Sequence, residues 1–346
     1  MDIIQWKVAQ VVPETRETIT YVLEPLDGKP VKYEAGQFLT FLFEHHGQEL
    51  RRSYSMSSTP GIDEHISVTV KRKVNGAISR YIQLRWRKGT IVRTIQPTGM
   101  FRIDTDTNAK RTFLFIAAGS GIVPIFSLLK KVLHFEPKSR VILINQNFDE
   151  DRIIFREALL GLEKRFGERF KLINLLSNPS DHSVAPQRLN NTLLEQMILQ
   201  TGVLSDKENT FFYTCGPLLF MKMVEFTVRV MGFEGSQVRK ENFTIESIPT
   251  PRFTMESVPR QVTVQYGSDR YEFTTTYPSN ILQSALDNHI TLPYSCRAGR
   301  CSSCVAKCVS GSVKMSVNDV LTEKDLADGL VLTCVGYAET DVVLEF

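Results

Sequence analysis

The sequence predicts a three-domain chain: an antiparallel β-barrel, then an α/β domain on a parallel sheet, then a small α+β domain. Three observations carry this. The chain has 346 residues, more than one ordinary domain holds, so two or three are expected. Its hydrophobic pattern changes from short strand-like runs over residues 1–105 to alternating strand and helix over 106–245. A proline-bearing break at 246–258 then sets off a last segment, 259–346, which holds five of the six cysteines.

Within residues 1–105, Thr40-Phe-Leu-Phe, His65-Ile-Ser-Val-Thr-Val and Thr90-Ile-Val-Arg-Thr-Ile are bounded by Gly, Pro and Asp. Short, evenly spaced strands of this kind suit a small barrel. Among them stands Arg51-Arg52-Ser53-Tyr54-Ser55, an R-x-Y-S pattern. Strand alternation sends Arg52 and Tyr54 to one face and Ser55 to the other. An arginine clamps a diphosphate bidentately, a tyrosine ring packs on a flat heterocycle, and a serine hydroxyl bonds a ring nitrogen. Val70, Lys71 and Arg72 follow, then Gly76-Ala-Ile78-Ser79. This last run is suited to opening a helix whose free N–H groups meet a phosphate. An ordinary strand with solvated arginines and a packed tyrosine is the competing reading of R-x-Y-S alone.

In residues 106–245, Arg111-Thr-Phe-Leu-Phe-Ile-Ala, Val141-Ile-Leu-Ile-Asn, Lys171-Leu-Ile-Asn-Leu-Leu and Thr210-Phe-Phe-Tyr-Thr read as buried strands. Helical segments such as Ile153–Leu160 and Met221–Phe226 lie between and after them. The first strand-to-helix turn is Gly119-Ser-Gly121-Ile-Val-Pro124. Its glycines allow close backbone approach to a pyrophosphate. Pro124 fits the first helical turn, where its missing N–H is no loss. The last strand ends at Cys215-Gly216-Pro217. Ligands of open α/β sheets bind outside the carboxyl ends of strands, so Gly119, Gly121 and Cys215 are expected at one crevice. A lone cysteine is more commonly just a small buried residue.

Residues 246–258, with two prolines in three residues, are expected to be an extended linker. Beyond them, Val262 and Val264 alternate, Tyr271 and Phe273 follow, and Ile281–Leu286 is helical in pattern. Next come Cys296, Cys301, Cys304 and Cys334, spaced C-x4-C-x2-C-x29-C. That is the plant-type [2Fe–2S] spacing, with a distant fourth thiolate. Structural zinc favours two C-x2-C pairs. Disulfides need an oxidising compartment, and nothing in the sequence points to one. Zinc and a redox-sensing cluster remain the rival readings.

Composition fits a globular protein, 42% hydrophobic and 23% charged. Beyond the four spaced cysteines only Cys215 and Cys308 remain, too few and too scattered for a disulfide framework, so a reducing cytoplasm is expected. The N-terminus has no basic and apolar leader pattern, so no signal peptide is expected. Thr112–Leu129 is uncharged, but Gly119, Gly121 and Pro124 interrupt it, so no membrane span is expected. The net charge of +3 is uneven: residues 259–346 hold 7 Lys/Arg and 10 Asp/Glu, a net of −3 that leaves +6 on the remainder. No basic, aromatic-interleaved patch suggests nucleic acid.

The ordered set R-x-Y-S, G-x-G-x-x-P and C-G-P resembles the ferredoxin–NADP reductase superfamily. With the cysteine loop behind it, the chain resembles the reductase components of multicomponent oxygenases, phenylacetyl-CoA epoxidases and ring hydroxylases included. The resemblance covers nearly the whole chain. It implies an FAD-binding barrel, an NAD(P)-binding α/β domain and a β-grasp ferredoxin domain. It implies FAD bound by Arg52, Ser53, Tyr54, Ser55, Val70, Lys71, Arg72, Gly76, Ile78 and Ser79, with Phe243 at the end of the nucleotide domain. It further implies NADH or NADPH at Gly119, Gly121, Pro124, Cys215, Gly216 and Pro217. Ser55, Cys215 and Glu241 would stand at the reacting atoms, and Cys296, Cys301, Cys304 and Cys334 would ligate the cluster. The partner implied is a protein electron acceptor, an oxygenase component; Arg297 and Arg300 flank the cluster loop either as candidates to face it or as ordinary solvated charges. Relatives often carry Asn-Arg where this chain has Asn147-Phe148-Asp149. Losing that arginine removes a bidentate phosphate partner and favours NADH, while Arg152 nearby keeps NADPH open.

Overall fold

A computed structural model describes residues 3–45, 47–243 and 253–346. The chain divides into two compact units, one ending at Glu241 and one spanning Asn242–Phe346.

The first unit opens with six antiparallel strands: β1 (Ile3–Thr15), β2 (Thr18–Pro25), β3 (Phe38–His45), β4 (Gln48–Ser55), β5 (Ile66–Lys71) and β6 (Ile91–Ile95). Their order is β4-β3-β6-β1-β2-β5, and a bridge from Met56 to Val68 brings the two ends together. Alternation along the strands fills the barrel with Trp6, Val8, Tyr21, Leu39, Phe41, Val68 and Val70. Helix α1 (Ala77–Arg85) closes one end by burying Ile78 and Ile82 in that core. Each such apolar side chain stabilises the fold by roughly 1.5–3 kcal/mol.

The nucleotide-type lobe follows as a parallel sheet, β7 (Thr112–Ala118), β8 (Arg140–Asn147), β9 (Phe170–Leu176), β10 (Thr210–Cys215) and β11 (Val238–Glu241), ordered β11-β10-β7-β8-β9. The central strand β7 is apolar throughout because helices cover both its faces. Those helices are α2 (Ile122–Phe135), α3 (Arg156–Phe166), α4 (Asn191–Gln200) and α5 (Leu218–Val230). Helix α2 buries nearly its whole length. Helix α3 starts later than the apolar run at 153–155 suggests. Phe155 adopts a left-handed conformation with φ 61° while its ring stacks on Phe126 at 4.3 Å.

Polar contacts join barrel and nucleotide lobe. Thr59 Oγ1 donates to the Ser127 carbonyl at 2.9 Å, Ser127 Oγ to the Ser58 carbonyl at 2.5 Å, and Lys130 pairs with Asp63. Burial pulls the Lys130 ammonium below its ordinary range, and Asp63 opposes this.

The second unit is a mixed sheet with a helix packed on it, the β-grasp arrangement. Its strands are β12 (Arg260–Tyr266), β13 (Asp269–Thr275), β14 (Val305–Ser310), β15 (Val313–Met315), β16 (Leu330–Leu332), β17 (Gly336–Ala338) and β18 (Val342–Glu345). The five-stranded order is β13-β12-β18-β14-β16, with β12 and β18 parallel. Helix α6 (Ile281–Asp287) starts where the Asn280 side chain accepts from the Gln283 N–H. Helix α7 (Glu323–Ala327) starts at a capping box formed by Thr322 and Asp325. Of the linker expected at 246–258, residues 246–252 lie outside the described residues. Residues 253–258 form no helix or strand, yet they are fastened to this unit: Tyr277 OH donates to the Phe253 carbonyl at 2.8 Å.

Candidate functional site

The R-x-Y-S motif occupies the end of β4, paired with β3 so that Phe41 stands opposite Arg52 and Leu39 opposite Tyr54. Ser55 ends the strand and is buried. Its hydroxyl donates to Glu241 Oε2 at 3.1 Å, across 186 residues of sequence. Parallel pairing of β10 with β11 sets Cys215 beside Glu241. Ser55, Cys215 and Glu241 thus form one buried cluster. Burial raises the Glu241 carboxyl to about 8, although the Ser55 hydrogen bond draws it down. Burial, and secondarily the Glu241 charge, pushes the Cys215 thiol well above its ordinary range. The cluster therefore holds a protonated carboxyl and a neutral thiol near neutral pH. A proton can be kept there, at Glu241, in contact with a hydroxyl that can pass it on.

The glycine turn meets the same place. Gly121 packs so closely under Cys215 that a Cβ there would lie 2.0 Å from the Cys215 carbonyl oxygen. Gly119 has φ +55°, the left-handed region that glycine occupies without strain. Helix α2 starts from Gly121 with no side-chain cap, and the Ile122 N–H donates to the Gly119 and Ser120 carbonyls. Pro124 sits in the first turn of α2, buried. Gly216 lies against Ala118 and Phe220, and Pro217 is the N-cap of α5.

Lys71 is a flavin-site candidate from the sequence. Strand alternation turns it away from the barrel core, and its Nζ comes within 3.8 Å of the Cβ position of Gly119. The ammonium stands at the glycine turn, where an anion would need it. Val70 and Ile78 are both buried in the barrel core, which leaves their backbone groups rather than their side chains to meet a ligand. Gly76 caps α1, and Ser79 Oγ is turned inward, accepting from the Lys73 N–H at 3.1 Å. Arg52 Nη1 donates to the Arg51 carbonyl at 2.7 Å, Ser53 Oγ bonds Thr40 Oγ1 at 2.8 Å, and Arg72 is exposed. Burial raises the Tyr54 phenol far above its usual range, and its ring lies 6.0 Å from Phe41. Phe243 is 42% exposed.

At the carboxyl end of β8, Asp149 accepts from the Arg152 N–H at 3.1 Å and pairs with its guanidinium at 3.4 Å. That guanidinium also stacks over Phe148 at 4.6 Å. Arg152 is thus engaged twice, and Asp149 supplies negative charge where the second strand of such sheets meets a ribose.

In the second unit the four cysteines converge. Cys296 interacts directly with Cys301 and Cys334, and Cys334 with Cys304. All are free thiols. Those of Cys301 and Cys334, and then the backbone N–H groups of Ala298 and Arg300, hold the Cys296 thiol far below its usual range. The loop achieves this by repeated positive φ, at Arg297, Gly299 and Ser302, which turns amides toward sulfur. The Cys296 N–H donates to Cys301 Sγ and the Ala298 N–H to Cys296 Sγ, both at 3.4 Å. Four convergent sulfurs ringed by N–H donors fit a thiolate-ligated iron–sulfur cluster.

Arg300 corrects the expectation that it faces an acceptor. It is 2% exposed and pairs with Asp319 at 3.3 Å. Arg297 is exposed, with its guanidinium over Tyr294 at 4.4 Å. One supporting residue escaped the sequence reading. Thr333 holds the Cys304 carbonyl with both its N–H and its hydroxyl, at 3.1 Å each. No helix among the described residues is long and apolar enough to cross a membrane.

Three family models match the chain. They describe an oxidoreductase FAD-binding domain over residues 7–103, an oxidoreductase NAD-binding domain over 115–225 and a 2Fe-2S iron-sulfur cluster binding domain over 267–339. The chain is 32% identical to a subunit of the 1,2-phenylacetyl-CoA epoxidase of Escherichia coli, over 98% of this chain and 96% of that one. It is 29% identical to the ferredoxin reductase component of 3-ketosteroid-9-alpha-monooxygenase of Mycolicibacterium smegmatis, over 99% and 96%. Phthalate dioxygenase reductase shares the fold, with a TM-score of 0.59 and 22% identity, covering 99% of this chain and 98% of that one. An intact type IV self-sufficient cytochrome P450 monooxygenase matches with a TM-score of 0.71 and 19% identity, covering 99% of this chain, which spans 41% of that longer one.

Proposed function

Because the chain belongs to the FAD-, NAD- and [2Fe–2S]-containing reductase components of oxygenases, we propose that it serves an oxygenase of the phenylacetyl-CoA epoxidase type and takes its electrons from NADH. The observation that supports the partner is the 32% identity to the Escherichia coli epoxidase subunit, maintained over 98% of the chain. The six free thiols suit a reducing, cytoplasmic setting.

In this reading Arg52 and the Gly76–Ser79 turn hold the FAD diphosphate, with Tyr54 against the flavin. The Gly119–Pro124 turn, Lys71 and the Cys215–Pro217 corner take the dinucleotide, and Cys296, Cys301, Cys304 and Cys334 hold the cluster. FAD, when bound, converts a hydride into two single electrons, which the cluster carries one at a time. The chain itself supplies position and a proton store. Glu241 keeps a proton near neutral pH, and Ser55 links that carboxyl to the reacting edge. Buried Cys215 and closely packed Gly121 exclude water from the crevice. Asp149 disfavours a 2′-phosphate by like charge and suits a ribose hydroxyl, and the engagement of Arg152 with Asp149 and Phe148 supports the preference for NADH.

The test is reconstitution. The purified protein should support NADH-driven epoxidation of phenylacetyl-CoA with the oxygenase subunits of such an epoxidase. It should do so faster than it supports a 3-ketosteroid or glycine betaine oxygenase. Equal or greater turnover with either of the latter rejects the epoxidase partner while leaving the reductase chemistry standing.

A further inference from the structure

The stretch just before the iron–sulfur unit is built as an attachment. The Phe253 ring meets Tyr337 edge-on, with centroids 5.4 Å apart and planes at 90°. It lies 6.4 Å from Tyr277, and these two tyrosines are 5.7 Å apart. Lys314 Nζ stands over the Phe253 ring at 4.9 Å. Lys314 and Tyr337 are cross-strand partners in the β15–β17 ladder, so one short ribbon supplies both the cation and the edge-on ring. Two hydrogen bonds run in opposite senses between the segment and Tyr277. Tyr277 OH donates to the Phe253 carbonyl and Ser257 Oγ to the Tyr277 carbonyl, each at 2.8 Å. Aromatic and cation–π contacts of this kind are individually modest, and several of them with two hydrogen bonds hold the segment on this unit.

We propose that Phe253, Tyr277, Tyr337 and Lys314 form an aromatic clamp that fixes where the linker ends, and so sets how many residues of sequence separate the flavin-bearing unit from the anchored start of the cluster-bearing unit. These are positioning residues: they act through tether length and touch no reacting atom. With the clamp closed, nine residues of sequence, 244–252, separate Phe243 from the anchored Phe253. With it open, sixteen, 244–259, separate Phe243 from β12. The effective concentration of a tethered module falls roughly as the −3/2 power of tether length. Releasing the clamp therefore lowers the chance of productive flavin–cluster encounter about two- to threefold.

The experiment is anaerobic stopped-flow on the full-length holoprotein, following flavin reduction by NADH and then the rise of the reduced-cluster signal. Phe253→Ala should slow flavin-to-cluster transfer about two- to threefold with NADH–ferricyanide turnover and the visible spectrum of the cluster unchanged. Phe253→Tyr, which keeps the ring, should transfer at the parental rate. Inserting seven residues between Phe243 and Phe253, with the clamp intact, should reproduce the Phe253→Ala rate. A parental transfer rate in either Phe253→Ala or the insertion variant overturns the proposal. So does a changed cluster spectrum in Phe253→Ala, which would make the contact a support of the cluster rather than of the tether. Slow NADH–ferricyanide turnover in the parent protein would instead count against the reductase reading itself.

Discussion

Glu241 shows how one residue ties stability to pH at the candidate site. Its folded value, about 8, lies above the ordinary carboxyl value of 4.5. The folded state therefore prefers the protonated acid, and ionisation acts against folding. The penalty is absent below the unfolded value, grows from about 4.5 to 8, and is complete above 8. Glu241→Gln should accordingly raise Tm at pH 8 relative to the parent. The difference should shrink toward zero near pH 4, as checked by thermal melts across that range. The same variant, and Ser55→Ala, should lower NADH–ferricyanide turnover by roughly 10²-fold, since each breaks the hydroxyl–carboxyl pair. At Asp149, replacement by Ala should shift the ratio of NADPH to NADH kcat/KM upward by roughly tenfold, read from steady-state kinetics. Placement was legible in the sequence where strand-end motifs carry it, as in the meeting of Gly121 and Cys215. Side-chain direction was not. Arg300 sits in a run of small polar residues that reads as solvated, and only the loop's positive φ angles bury it against Asp319. Arg300→Ala should cost about 3 kcal/mol, measured by urea unfolding of the full chain.

Among the elements, the turn from β7 into α2 is set by contact with another strand end. Gly121 has an ordinary helical φ of −62°, so backbone strain does not require glycine there. Space does, because a Cβ would lie 2.0 Å from the Cys215 carbonyl oxygen. Gly121→Ala should force β7 and β10 apart at their carboxyl ends. It should raise KM for NADH at least about tenfold, while the protein keeps its flavin absorbance. The spacing G-x-G-x-x-P announced this turn, because loop chemistry is local in sequence. The onset of α3 was not announced. Its apolar run at 153–155 looks helical, yet Phe155 turns left-handed so that its ring reaches Phe126. Likewise Lys71 belongs to a motif associated with flavin, and strand alternation alone delivers its ammonium to Gly119.

At the level of the whole molecule, the chain runs flavin barrel, nucleotide lobe, then cluster unit, so the flavin domain that stands between donor and cluster in electron flow comes first in sequence. Cys304→Ala should abolish NADH-dependent reduction of an oxygenase partner while NADH–ferricyanide turnover stays within about twofold of the parent, because the first unit contributes its own core and its own site. The three-part plan was readable because each part has its own hydrophobic period. The true end of the linker was not readable, since a proline-bearing stretch looks extended whether or not it is pinned. Phe253 is identified as an anchor only by partners that lie 24 and 84 residues away in sequence.

The pairing of β14 with β16 carries a consequence for biogenesis. Cys304 immediately precedes β14 and Cys334 lies two residues beyond β16. The ladder matches Val305 with Leu332, so Thr333 grips the Cys304 carbonyl and brings the two cysteines together. Slippage by a single residue would carry Cys334 about 3.3 Å along the strand and leave the proposed cluster site one thiolate short. In that reading iron retention would proofread strand alignment: a nascent chain that zipped these strands wrongly would not keep its cargo, and the fold itself would carry a quality-control step.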